Sequence, residues 1–188
     1  MVDGGRFAHQ VTLGCGLSVQ TSPLGPPMHF RGRDRTSVDA KGRTSVPARV
    51  REQLEDEYPA KQARHLVVVP WFDGNLRVYP LVVWEQKQAE FEARFNAEDV
   101  FAIDEVDSDL RRFLYGMAQD LTIDPQGRVL LSQELREHAG MDRDVLWVAM
   151  GAMLEAWDPA RFQARFEGAR ATSLRSSLQS RLRPEKES

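Results

Sequence analysis

The chain has 188 residues, a net charge of −3 and 41% hydrophobic residues, enough apolar material for one large or two small soluble domains. No apolar run approaches the roughly 20 residues of a membrane-spanning helix, and nothing near the first residues reads as a secretory signal. The single cysteine, Cys15, excludes an intrachain disulfide and suits a reducing cytoplasm. His9, His29, His65 and His138 are too scattered for a metal site, so no metal or other cofactor is expected.

Residues 1–27 carry only an interrupted apolar pattern and are expected to lie outside the folded core. From Arg31 to Arg51 the chain is basic, with Arg31, Arg33, Arg35, Lys41, Arg43, Arg49 and Arg51 against only Asp34 and Asp39. Such a patch is the footprint of phosphate binding or simply a solvated charged face. Within it a short strand is predicted, then a turn at Asp39-Ala40-Lys41-Gly42, then a strand starting at Arg43. Asp at the first and Gly at the fourth position suit a type I turn, and a left-handed Gly supplies the bulge that closes a twisted hairpin. Pro47 sits well in the first turn of a following short helix. Apolar strands are predicted at Leu66 to Val69 and Leu76 to Tyr79, around a turn at Asp73-Gly74. Two amphipathic helices follow, Leu81 to Phe95 and Asp109 to Ala118, whose apolar residues read as core.

The pattern then recurs. Thr122-Ile123-Asp124-Pro125-Gln126-Gly127-Arg128-Val129-Leu130-Leu131 aligns with Ser37 to Val46, and Leu135-Arg136-Glu137 aligns with Val50-Arg51-Glu52. Pro125 strengthens the second turn. Gly140 is placed to end the second short helix, and strands are predicted at Val145 to Val148 and Met153 to Trp157. The first copy carries a longer connection at Glu55 to Arg64. The second copy is acidic around Arg128, with Asp124, Glu134, Glu137, Asp142 and Asp144 nearby in sequence. The stretch 169–188 is rich in Ser, Arg and Glu and is expected to be a mobile tail.

Met28-His29-Phe30-Arg31-Gly32, Asp39 to Pro47 and Tyr79 to Trp84 resemble the first half of MraZ proteins. Phe113-Leu114-Tyr115-Gly116, Asp124 to Arg128 and Leu135 to Gly140 resemble the second half. The resemblance implies two domains of the SpoVT-AbrB swapped-hairpin type, at 33–83 and 118–161, with a helical linker at 84–117. It also implies ring-shaped homo-oligomers that bind short direct repeats in double-stranded DNA and regulate the cell-division and cell-wall gene cluster. The expected fold is mixed α+β, mainly β, with the strands of both copies interleaved in one pseudo-twofold barrel. Copies of about 45 residues bury too little apolar surface to stand alone. Residues 1–27 have no counterpart in the family pattern. They are either a lineage-specific tail or untranslated, with the start at Met28.

A two-stranded ribbon fits the major groove, where Arg pairs with guanine through two hydrogen bonds. Arg43 is the first choice for a base or phosphate contact, with Lys41, Arg35 and Arg33 as further DNA contacts and Arg128 as the weaker equivalent of Arg43. Asp39, Gly42, Asp124 and Gly127 are expected to shape the turns and orient the arginines. The competing reading is that Asp39 and Arg43, and likewise Asp124 and Arg128, form structural pairs of small energetic weight. The expected function is a DNA-binding transcriptional regulator, cytoplasmic and nucleoid-associated, with no membrane partner. The alternative is a ring-forming scaffold that binds protein. An enzyme is not expected: the carboxylates Asp99, Asp104, Glu105 and Asp107 are read as acidic helix-start residues rather than a metal site.

Overall fold

The computed structural model describes residues 29–95, 105–167, 173–174 and 176–178. The expected N-terminal tail with Cys15, the alternative start Met28, the carboxylates Asp99 and Asp104, and most of the expected C-terminal tail lie outside these residues.

The first copy runs β1 (Arg33–Ser37), β2 (Arg43–Ser45), α1 (Ala48–Glu57), α2 (Ala60–Ala63), β3 (His65–Trp71) and β4 (Asn75–Pro80). The second runs β5 (Gln119–Thr122), β6 (Arg128–Leu130), α5 (Gln133–Ala139), β7 (Asp144–Ala149) and β8 (Leu154–Trp157). Between them lie α3 (Leu81–Phe95) and α4 (Glu105–Arg111), and α6 (Pro159–Phe166) follows β8. The linker helix predicted at Asp109 to Ala118 begins earlier and changes pitch, since Arg112–Gly116 is a π-helical turn. The two short helices start differently. Pro47, with φ of −51°, precedes α1 without a side-chain cap, whereas the Ser132 hydroxyl accepts the Leu135 amide at 3.3 Å.

Strands β1 and β2 do not form the simple hairpin that the turn suggests. Their backbones pair only at the Val38–Thr44 bridge next to the turn, then part. Strand β1 pairs with β7, and β5 pairs with β3, so each copy gives its first strand to the other. The six-stranded antiparallel sheet has the order β1-β7-β8-β4-β3-β5. With the copies exchanged, this order reads the same from either edge. At the central seam Arg77 of β4 stands opposite Glu155 of β8, 3.7 Å away. Strands β2 and β6 form a separate two-stranded ribbon. Of the expected pseudo-twofold barrel, hydrogen bonding gives a six-stranded sheet and a separate two-stranded ribbon, not a closed ring of strands. Because each first strand leaves its partner just after the turn, the ladder is interrupted where a barrel would have to continue.

One hydrophobic core joins the copies. It includes Val46, Val50, Leu54, Leu66, Val68 and Val78 from the first and Val129, Leu131, Leu135, Val145, Trp147 and Leu154 from the second. The ribbon is tied to the sheet by a partly buried polar chain: Trp147 Nε1 donates to Thr36 Oγ1 at 2.9 Å, and the hydroxyls of Thr36 and Thr44 lie 2.8 Å apart. A smaller cluster of Val67, Val69 and Trp84 packs on the opposite face of β3, beneath α3. Among the described residues, no helix is long and apolar enough to cross a membrane.

Candidate nucleic-acid interface

The two repeated turns have nearly identical geometry. In the first, Gly42 N–H donates to Asp39 O at 2.9 Å, and Asp39 N–H donates to Arg43 O at 2.8 Å. The Asp39 Oδ1 accepts the amides of Lys41 and Arg43, both at 2.9 Å, while Oδ2 accepts Arg43 Nε at 2.7 Å. In the second, Gly127 N–H donates to Asp124 O at 2.8 Å, and Asp124 Oδ1 accepts the amides of Gln126 and Arg128 at 2.9 and 2.8 Å. Its Oδ2 accepts Arg128 Nε at 3.1 Å. Gly42 and Gly127 have φ of 83° and 78°, a left-handed conformation that a side chain would strain. The donated backbone amides, followed by the arginine side chains, hold both aspartate carboxyls below the ordinary range despite partial desolvation.

The carboxylates thus fix both arginines without removing them from solvent: the Arg43 and Arg128 side chains remain 35% and 30% exposed. Register then decides where they point. Arg43 stands opposite Leu130, and Arg128 opposite Ser45, while Thr44 and Val129 between them are buried against the core. Alternation along the strands therefore puts Arg43, Ser45, Arg128 and Leu130 on the outer face of one ribbon. Leu130 is 57% exposed there.

The profile of a family described as “MraZ protein, putative antitoxin-like” matches residues 29–105 and 114–183. A protein of Bordetella pertussis (strain Tohama I) named Transcriptional regulator MraZ is 40% identical over 136 residues, 72% of this chain and 87% of the relative. Proteins of the same name from Leptothrix cholodnii and Solidesulfovibrio magneticus are 40% identical over 141 residues and 33% identical over 136 residues. They cover 75% and 72% of this chain, and 87% and 84% of the respective relatives. The chain belongs to the MraZ family.

This MraZ-family chain distributes its other candidate contacts unevenly. Lys41 is exposed at the tip of the first turn, with Gln126 in its place in the second. Arg33 and Arg35 lie on the face of β1 opposite to Thr36, the residue that touches Thr44 of the ribbon, so they point away from the ribbon. Arg35 is also paired with Asp144 across the β1–β7 ladder at 2.7 Å, which raises the arginine and lowers the aspartate pKa. Arg49 pairs with Asp34. Local charge in the sequence separated Arg128 from the basic stretch, yet ribbon pairing brings it beside Arg43.

Sequence reasoning did not single out Ser45 and Leu130. Their signal was present in the period-two alternation from each arginine, but it needed the β2–β6 pairing to become a shared face. Nor did it separate Arg51 and Arg136, aligned in the repeat, from ordinary helix-surface charges; both reach the turns. Among the described residues, no group of three or more His, Cys, Asp or Glu could hold a metal.

Proposed function

We propose that this chain is a sequence-specific DNA-binding transcriptional regulator built from two swapped-hairpin repeats of the SpoVT-AbrB type. The exchange of β1 and β5 between the copies supports that fold assignment. The DNA reading rests on one observation: two arginines, each oriented by its own aspartate, share the outer face of a two-stranded ribbon. A ribbon enters the major groove, and a guanidinium held in a fixed plane reads guanine O6 and N7. Arg43 and Arg128 make the base or phosphate contacts, Lys41 adds a phosphate contact, and Arg33 and Arg35 contribute only at the periphery. The protein acts as a binder rather than an enzyme. It assembles as a homo-oligomeric ring on short direct repeats near its own cell-division and cell-wall gene cluster, on the nucleoid in the cytoplasm.

Fluorescence polarisation with duplexes from upstream of the reading frame, against scrambled duplexes, tests this. Preferential, salt-sensitive binding is expected. Arg43→Ala loses about 1–3 kcal/mol of discrimination at one base pair if the arginine reads a base. If it contacts phosphate alone, affinity falls for all sequences and the salt slope becomes shallower. Equal, weak binding of both duplexes by the intact assembly overturns the reading.

A protein-binding scaffold is the second reading, favoured by an open groove of about 290 Å³ lined by Trp71, Tyr79, Trp84, Phe91, Leu114 and Tyr115. Beside it Phe72 is 72% exposed and stacks on Phe113 at 4.3 Å between centroids. Apolar surface of this kind also serves self-association. Phe72→Asp, followed by light scattering and the same polarisation assay, separates assembly from DNA recognition.

A further inference from the structure

We propose that Arg51 and Arg136 are positioning residues, each acting from the helix of one copy to set the DNA-facing turn of the other. This rests on the DNA reading of the ribbon. The contacts form two matched circuits across the copies. In one, Val46 N–H donates to Gly127 O at 2.9 Å, and Arg51 Nε donates to Val46 O at 3.2 Å. The Arg51 guanidinium then lies against Gly127, so close that a Cβ there would stand 2.6 Å from its Cζ. In the other, Leu131 N–H donates to Gly42 O at 2.9 Å and Arg136 Nε donates to Leu131 O at 3.3 Å. A Cβ on Gly42 would stand 2.8 Å from Leu131 O and 3.1 Å from Arg136 Nε.

Each turn glycine thus meets the end of the other copy's ribbon strand, and an arginine from that copy's helix covers the junction. The aspartate fixes the turn from within, while the arginine fixes it against the core. A planar guanidinium can donate from Nε and lie flat on the glycine backbone together; an ammonium on a flexible stem cannot. The circuits place Arg51 behind Arg128 and Arg136 behind Arg43, so each DNA contact depends on both copies.

This crossing distinguishes positioning from a direct phosphate contact or a general stability effect. Full-length Arg51→Ala, Arg51→Lys, Arg43→Ala, Arg128→Ala and the doubles are compared in polarisation assays on an upstream duplex, with oligomer mass and melting checked. Arg51→Ala is expected to weaken specific binding about ten-fold. It should be nearly silent on top of Arg128→Ala and multiply with Arg43→Ala. Arg51→Lys, which keeps the charge and stem and so protects folding, should remain about as weak. In amide spectra Arg51→Ala should shift Gly127 and leave Gly42 in place. Coupling to Arg43, full rescue by lysine, or unchanged binding overturns the proposal. If Arg43→Ala and Arg128→Ala both bind like the parent, the DNA reading itself falls and takes this role with it; if they lose binding while the crossed coupling is missing, only this role falls.

Discussion

Strands β3 and β7 occupy equivalent places in the two copies, yet their environments differ. Strand β3 is buried from Leu66 to Pro70, since its inner residues Leu66 and Val68 enter the shared core while Val67 and Val69 pack under Trp84 of α3. Strand β7 buries only Val145 and Trp147, and leaves Leu146 and Val148 half-covered. The turns show the opposite behaviour, with the same hydrogen bonds at nearly the same lengths. The copies have kept their turns and inward faces, and diverged on their outer faces. That is the division expected if the turns perform a shared task and the outer faces serve separate packing needs.

The largest test of this division lies in the core. Val50 and Leu135 hold equivalent helix positions and are both almost fully buried. Leu135→Ala should cost about 2–5 kcal/mol in urea unfolding, with Val50→Ala costing less because the shorter side chain gives up less buried hydrocarbon. The reverse order would mean that the copies do not share one core evenly. The turn glycines come next. Alanine at either requires a strained left-handed backbone, about 1–3 kcal/mol. At Gly42 the new Cβ also meets the Leu131 carbonyl, part of the backbone, whereas at Gly127 it meets the movable end of Arg51. Thermal unfolding should therefore show Gly42→Ala as the more damaging change.

Much of this was legible in the sequence. The Asp-x-x-Gly-Arg turns, the start of α3 at Leu81 and the strands on either side of Asp73-Gly74 all follow from local chemistry, which is what sequence spacing reports. Interleaving of the copies was expected, but not which strand β1 and β2 would each meet, because local spacing does not report a partner from the other copy. For the same reason Arg128 looked isolated among acidic residues: charge counted along the chain misses the neighbour, Arg43, that β2 brings beside it. The π-helical turn at Arg112–Gly116 has no simple spacing signal, since one extra residue per turn barely alters an amphipathic pattern.

The helix starts give a smaller, sharper comparison. Ser132→Ala removes the acceptor for the Leu135 amide and should cost about 1 kcal/mol. Ser132→Pro borrows the solution used before α1. Ser132 already has φ of −57°, close to the −51° of Pro47, so the ring fits without strain and restricts the unfolded chain. The proline variant should melt above the alanine variant. If it melts below, the two helix starts are not interchangeable, and the backbone at residue 132 does not accept the proline ring or the loss of its N–H.

The smallest effect concerns the turn aspartates, and it asks whether the two turns are alike in solution. In both, the largest influence on the carboxyl is the amide of the following arginine, with the arginine side chain and a second turn amide adding to it. All three favour the charged form, so the folded pKa lies below the unfolded value of about 3.9. A depressed folded pKa means that the unfolded chain binds the proton more readily. The stabilising contribution is therefore fully present above about pH 3.9 and is lost as pH falls through the folded values. Carboxyl-carbon titration by NMR should give Asp39 and Asp124 midpoints below that ordinary value, with the Gly42 and Gly127 amides unchanged from neutrality down to about pH 5. Asp39→Asn keeps an acceptor but removes the charge that holds Arg43, so the mutant should lose the acid dependence at its own turn and retain it at Asp124. An ordinary midpoint at one aspartate alone would show that the matched hydrogen bonds do not persist equally, and that only one ribbon arginine is held in a fixed plane.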